Sequence, residues 1–115
     1  MEGSEMADQQ VFRVMLRMQI LPGKEQEFER VWYSVADVVG ENPANVGQWL
    51  SKSAEEEGVY YIMSDWADEA GFRAFERSDA HVEHRKKLHP YRSHGTMTTQ
   101  HVVFDLGRER LEARR

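Results

Sequence analysis

Cysteine is absent from the 115 residues, which excludes disulfides, thiolate metal sites and a cysteine nucleophile and leaves the redox compartment without a signature. No apolar run approaches the roughly 18 residues of a membrane span, and the polar start MEGSEMADQQ lacks the apolar core of a secretion signal. A soluble cytoplasmic protein with no membrane partner is the expectation. An excess of positive charge is missing too. The formal net charge is -5, so no nucleic-acid partner is expected, and Arg85-Lys86-Lys87 reads as a solvated helix face. Gly23, Gly40, Gly58 and Gly95 mark turns and belong to no phosphate-cradling motif. No period of 20 to 50 residues marks a repeat architecture.

What is present is periodicity. The length suits one domain, able to bury about 65% of its unfolded surface. Residues 1–9 read as a disordered polar arm, 10–107 as the domain and 108–115 as a charged tail. Phe12, Val14, Leu16, Met18 and Ile20 alternate with Arg13, Arg17 and Gln19, a strand. Leu21-Pro22-Gly23 breaks it, and Phe28, Val31, Trp32, Val35 and Val38 or Val39 then recur at helical spacing up to Gly40. Val46, Gln48, Leu50 and Lys52 form a weaker second strand after the turn at Asn42-Pro43. The run Val59 to Met63, continued to Trp66, is a third strand with large apolar groups on both faces. Asp68 caps a helix carrying Phe72 and Phe75, Ser78 or Asp79 caps another, and Pro90 stops it. Arg92 to Gly95 reads as a loop and Thr96 to Leu106 as the last strand.

The order β-α-β-β-α-β, with an extra helical turn, is the split βαβ arrangement of α+β ferredoxin-like domains, a four-stranded antiparallel sheet with helices on one face. The opposite face would hold Arg13, Met15, Arg17, Tyr61 and Met63, too apolar to stay wet. Packing two such faces together predicts a homodimer closed as a barrel.

One stretch gathers chemistry. On the third strand Tyr60, Ile62, Ser64 and Trp66 share a face, and on the last helix His81, His84, Arg85 and Leu88 share a stripe. A tryptophan, a hydroxyl and two imidazoles are thus expected to converge on one pocket. For Phe72 and Phe75 plain core packing competes with a pocket role, and His81 near a helix start also suits a cap. His81 and His84 form an H-x-x-H pair without the glutamate of zinc proteases, and no metal site is assigned to it.

From Trp66 to His84 the sequence WADEAGFRAFERSDAHVEH resembles the antibiotic biosynthesis monooxygenase family, small dimeric α+β barrels, and the element order agrees over Val11 to Leu106. The resemblance implies oxidation of an anthrone-like or phenolic aromatic polyketide to a quinone by molecular oxygen, as in members near polyketide and spore-pigment clusters, without metal, flavin or haem. Trp66 and His81 rank first as site residues by family position, then His84, Arg85 and Tyr60. The slot for the polycycle would draw on Tyr60, Ile62, Phe72, Phe75, Phe28 and Trp32. Either His81 or His84 suits a general base, Arg85 an oxyanion partner, and Tyr60 or Ser64 a hydrogen bond to the substrate. Two other outcomes stay open. Haem-degrading relatives ligate iron through a histidine where this chain has Arg85, one position past His84, and a polycycle-binding or cyclase-like protein of the same barrel would consume no oxygen.

Overall fold

The computed structural model describes residues 10–107; the expected arm over 1–9 and tail over 108–115 lie outside the described residues. The first strand, β1 (Phe12–Ile20), follows its alternation: Phe12, Val14, Met18 and Ile20 are buried and the residues between them half-buried. It ends in a turn in which the Lys24 amide donates to the Leu21 carbonyl at 3.0 Å, with Gly23 at φ 84°. Proline followed by a left-handed residue is the type II pattern, and only glycine takes that second position without strain. Helix α1 (Glu25–Gly40) buries Phe28, Val35 and Val39 and carries acids outward in its first turn. Strands β2 (Asn45–Lys52) and β3 (Val59–Trp66) follow, then α2 (Glu69–Glu76), α3 (Asp79–Leu88), a 3-10 turn at His89–Tyr91 and β4 (Arg92–His101).

The sheet order is β2-β3-β1-β4 with every neighbouring pair antiparallel, the α+β ferredoxin-like arrangement expected from the sequence. Tyr60, Ile62, Ser64 and Trp66 lie opposite Met18, Leu16, Val14 and Phe12 on the face that the helices cover. Two apolar clusters fill that layer. One joins Phe12, Val14 and Trp66 to Val39, Phe72 and Phe75; the other joins Met18, Ile20 and Tyr60 to Phe28, Val35 and Leu88. The rear face carries Arg13, Met15 and Arg17 against Asp65, Met63 and Tyr61, as the alternation requires.

Both short helices are fixed by their caps. The Asp68 carboxylate accepts from the Gly71 amide at 2.7 Å and the Ser78 hydroxyl from the His81 amide at 3.2 Å, so Ser78 rather than Asp79 is the cap.

The last strand departs from the sequence reading. It begins at Arg92 and ends at His101, so the expected loop Arg92 to Gly95 is strand, and the segment after His101 is not. Its length is set by its partner: among the described residues β4 pairs only with β1, from Ile20↔Arg92 to Phe12↔His101, and one further bond from the Val102 amide to the Val11 carbonyl closes the ladder. Beyond that point the β-prone residues Val103 and Phe104 pair with no strand among the described residues, and both are exposed.

Candidate active site

A cavity of about 250 Å³ lies between the sheet and the helices, just below the roughly 300–1,000 Å³ usual for small-molecule sites. Its floor is the helix-facing side of β1 and β3, including Val14, Leu16, Ile62 and Ser64; its walls include Trp32 and Val39 of α1, Phe72 and Phe75 of α2, and His81, His84 and Arg85 of α3. Trp66 closes one end. Nine of the eleven residues singled out from the sequence therefore border one space. The other two do not: Tyr60 and Phe28 are fully buried, their rings edge-to-face at 5.1 Å. The Tyr60 hydroxyl donates to the Glu29 carboxylate, and burial together with that carboxylate pushes the phenol well above its ordinary value. It is a protonated core residue turned towards α1, which alternation along β3 alone does not reveal.

Trp66 is the best-held residue of the wall. It is 1% exposed, its ring lies 5.5 Å from that of Phe72 and 5.2 Å from that of Phe75, and its Nε1 donates to Ser64 Oγ at 2.9 Å. The Ser64 hydroxyl thus takes a hydrogen bond from its neighbour on the same face and keeps its own proton to donate elsewhere.

His81 stands beside this aromatic group, 5.1 Å and edge-on to Phe75. Its Nδ1 is buried and has no hydrogen-bond partner among the described residues, a state that costs free energy unless something else fills it. Burial lowers the His81 pKa below the ordinary 6.5, the Arg85 charge lowers it further and Glu76 opposes them. Burial likewise lowers that of His84, with His81 and Lys87 adding to it. Both imidazoles are neutral at pH 7, the form that accepts a proton.

A stability effect follows. Below pH 6.5 the unfolded chain binds more protons at these two positions than the folded one, so stability falls as pH drops from 6.5 through the lowered folded values; above 6.5 the two histidines contribute no pH dependence. The melting temperature of the wild type should therefore decline more steeply between pH 7 and 5 than that of a His81→Gln/His84→Gln variant. Parallel curves would contradict the burial of these rings.

Among the cavity residues that the sequence did not single out are Gln48, Glu76 and Arg92. Gln48 faces inward beside Leu50 and donates through Nε2 to the Ala36 carbonyl at 2.7 Å, tying β2 to α1; the weak alternation of β2 was its only signal. Glu76 borders the cavity but is held by Arg73 at 3.1 Å. Arg92 was hidden by the misplaced start of β4. No group of three or more His, Asp or Glu side chains positioned for a metal occurs among the described residues, and no helix there is long and apolar enough to cross a membrane.

Against known proteins, residues 11–87 match the family model described as antibiotic biosynthesis monooxygenase. The chain belongs to the antibiotic biosynthesis monooxygenase family. Among curated proteins it is 31% identical over 71 residues to the 42.8 kDa protein in the whiE locus of Streptomyces coelicolor, which is 62% of this chain and 18% of that protein. It is 29% identical over 92 residues to protein SchA of Streptomyces halstedii, 80% of this chain and 24% of that one. The chain thus spans a quarter or less of the length of the curated relatives it matches. SnoaB of Streptomyces nogalater, a cofactor-independent oxygenase, shares the fold with a TM-score of 0.74 and 18% identity, over 84% of this chain and 97% of that one.

Proposed function

We propose that this family member oxidises an anthrone-like or phenolic aromatic polyketide to a quinone with molecular oxygen, without metal, flavin or haem. The observation that carries the reading is His81: a neutral imidazole with a buried nitrogen that has no partner among the described residues, on an apolar wall shared with Trp66 and Phe75. Such a group can remove a proton from a ring-flanked C–H while the cavity excludes water. The resulting carbanion is delocalised onto the neighbouring carbonyl oxygen, where the Arg85 charge and the Ser64 hydroxyl stabilise it. One electron then passes from the carbanion to oxygen, and the radical pair combines to a peroxide on the carbon. The peroxide takes the proton from His81, then loses the second C–H proton and its terminal oxygen as water. For each quinone one oxygen molecule is consumed, one atom entering the ring ketone and the other leaving as water.

The test is quinone formation from anthrone by chelator-dialysed protein, in air and under argon. The expected result is oxygen-dependent acceleration above buffer that is unchanged by added haemin or metal. A rate that appears only when haemin is added would replace this reading with the haem-dependent one.

We further propose that the active form is a homodimer joined through the rear sheet face. Trp49, 45% exposed, lies opposite Met63, which lies opposite Met15, an apolar row across that face. Its charges are already neutralised within the chain: Arg13 grips Asp65 through two bonds of 2.7 and 2.9 Å, and Arg17 reaches Glu56 at 3.1 Å. Burying them would leave no unpaired ion. Light scattering at micromolar concentration should report twice the chain mass for the wild type and a shift towards the monomer for Trp49→Glu; a monomeric wild type would contradict the proposal.

A further inference from the structure

The cavity is polarised along its length. Trp66 lies opposite Phe12 at one end of β1, and Arg92 lies opposite Ile20 at the other. Helix α3 runs with the same polarity, from His81 against Phe75 to Leu88 in the cluster around Met18 and Ile20. One end is therefore aromatic. The other is bordered by Arg85, His89 and Arg92, and a second, shallower depression shares Arg85 and His89 and adds Lys86.

Of these residues Lys86 holds Glu83 at 3.4 Å; the two arginines differ. Arg13, Arg17 and Arg73 each hold a carboxylate, whereas Arg85 and Arg92 make no ion pair among the described residues. The one cavity acid among the described residues, Glu76, is committed to Arg73. Arg92 is half-buried, whereas Arg85 is exposed; a half-buried guanidinium facing an apolar cavity has lost part of its water, and an anion of the ligand is the natural replacement.

The position of Arg92 is built by the backbone. In a regular strand residues 92 and 95 would face opposite sides. A register shift between Gln19 and Ile20 places His94 opposite Gln19 but Arg92 opposite Ile20, and this bulge turns both Arg92 and Gly95 into the cavity. There the guanidinium lies over Gly95, where the Cβ of any other residue would overlap Arg92 Nη1. Gly95 has no positive φ. The glycine is thus explained by the room it leaves for Arg92 and not by a turn.

We propose that the cavity takes an aromatic polycycle bearing an ionised carboxylate, with Arg92 holding the carboxylate at the end away from Trp66 and Gly95 positioning Arg92. This names the substrate class of the oxygenase reading and rests on that reading for the aromatic half of the ligand. Arginine suits the task because its planar fork can meet both carboxylate oxygens.

The experiment is an equilibrium titration of the full chain, followed by tryptophan fluorescence, with anthraquinone-2-carboxylate and with its neutral carboxamide. The carboxylate is expected to bind at least about tenfold tighter, as one charge-assisted bidentate contact of roughly 1.5–3 kcal/mol allows. Arg92→Gln should reduce that preference to less than about threefold while the carboxamide affinity stays within about twofold. Gly95→Ala should do the same with the arginine still present, and without a lower melting temperature, since glycine in a strand is itself unfavourable. Equal affinities for the two probes, a preference that survives both substitutions, or binding of neither probe overturns the proposal. Neither probe has a methylene to oxidise, so the titration is independent of turnover. A carboxylate preference in a protein that oxidises nothing would strike only the oxygenation proposal, and equal affinities in an active oxygenase would strike only this one.

Discussion

His81→Ala is expected to lower the turnover number for anthrone oxidation by a hundredfold or more while changing ligand affinity little. General-base catalysis is worth about 10²–10⁴ in rate, and the substitution removes the base while the slot formed by Trp66, Phe72 and Ile62 is untouched. The split between turnover and affinity matters, because a residue that only packs would move both or neither. Two accompanying readouts separate the role from packing. In the wild type the acid limb of the turnover profile should fall below pH 6.5, since burial and Arg85 lower the pKa of this imidazole. Glu76 opposes that shift, and His84, His89 and Arg92 share the cavity, so the variants at those positions are measured beside it. Added imidazole should restore part of the rate to His81→Ala, because the vacated space adjoins an existing cavity. If His84→Ala carries the loss instead, the two histidines exchange roles.

The second large effect is on stability. Trp66→Ala should destabilise the fold by about 3–5 kcal/mol, the usual cost of removing a large buried aromatic, against a total of roughly 5–15 kcal/mol for a domain of this kind. Trp66 is 1% exposed and touches both phenylalanines of α2, so its loss unseats the helix that walls the cavity. Trp66→Phe keeps most of the packing but gives up the bond from Nε1 to Ser64; it should cost less, with about 1 kcal/mol of the loss due to that bond. Denaturant unfolding followed by far-ultraviolet circular dichroism measures both. A cost under 1 kcal/mol for the alanine variant would mean that the aromatic cluster does not hold α2 to the sheet.

The parts of this molecule that were legible in its sequence are those in which one residue's environment depends on its near neighbours. The alternation of β1, the helical spacing of Phe28, Val35 and Val39, the caps Asp68 and Ser78, and the stripe of His81, His84 and Leu88 all rest on local periodicity. What was not legible depends on a distant strand. The ends of β4 are fixed by where β1 starts and stops, so the β-prone residues after His101 misled the reading. The bulge that turns Arg92 inward is likewise a property of the pairing and leaves no mark in the tetrapeptide Arg92-Ser93-His94-Gly95. Tyr60 and Ser64 share a face of β3, yet Glu29 of α1 draws the hydroxyl of the first away from the cavity, a contact spanning 31 residues of sequence.

The central claim is that the protein's part in the reaction is the removal of a proton, the electron transfer to oxygen being the substrate's own chemistry. It is tested most directly without oxygen. Under argon in deuterated buffer, the chelator-dialysed protein should accelerate exchange of the anthrone methylene hydrogens for deuterium, and His81→Ala should lose that acceleration. Exchange no faster than buffer, in a protein that still forms quinone rapidly in air, would contradict the account.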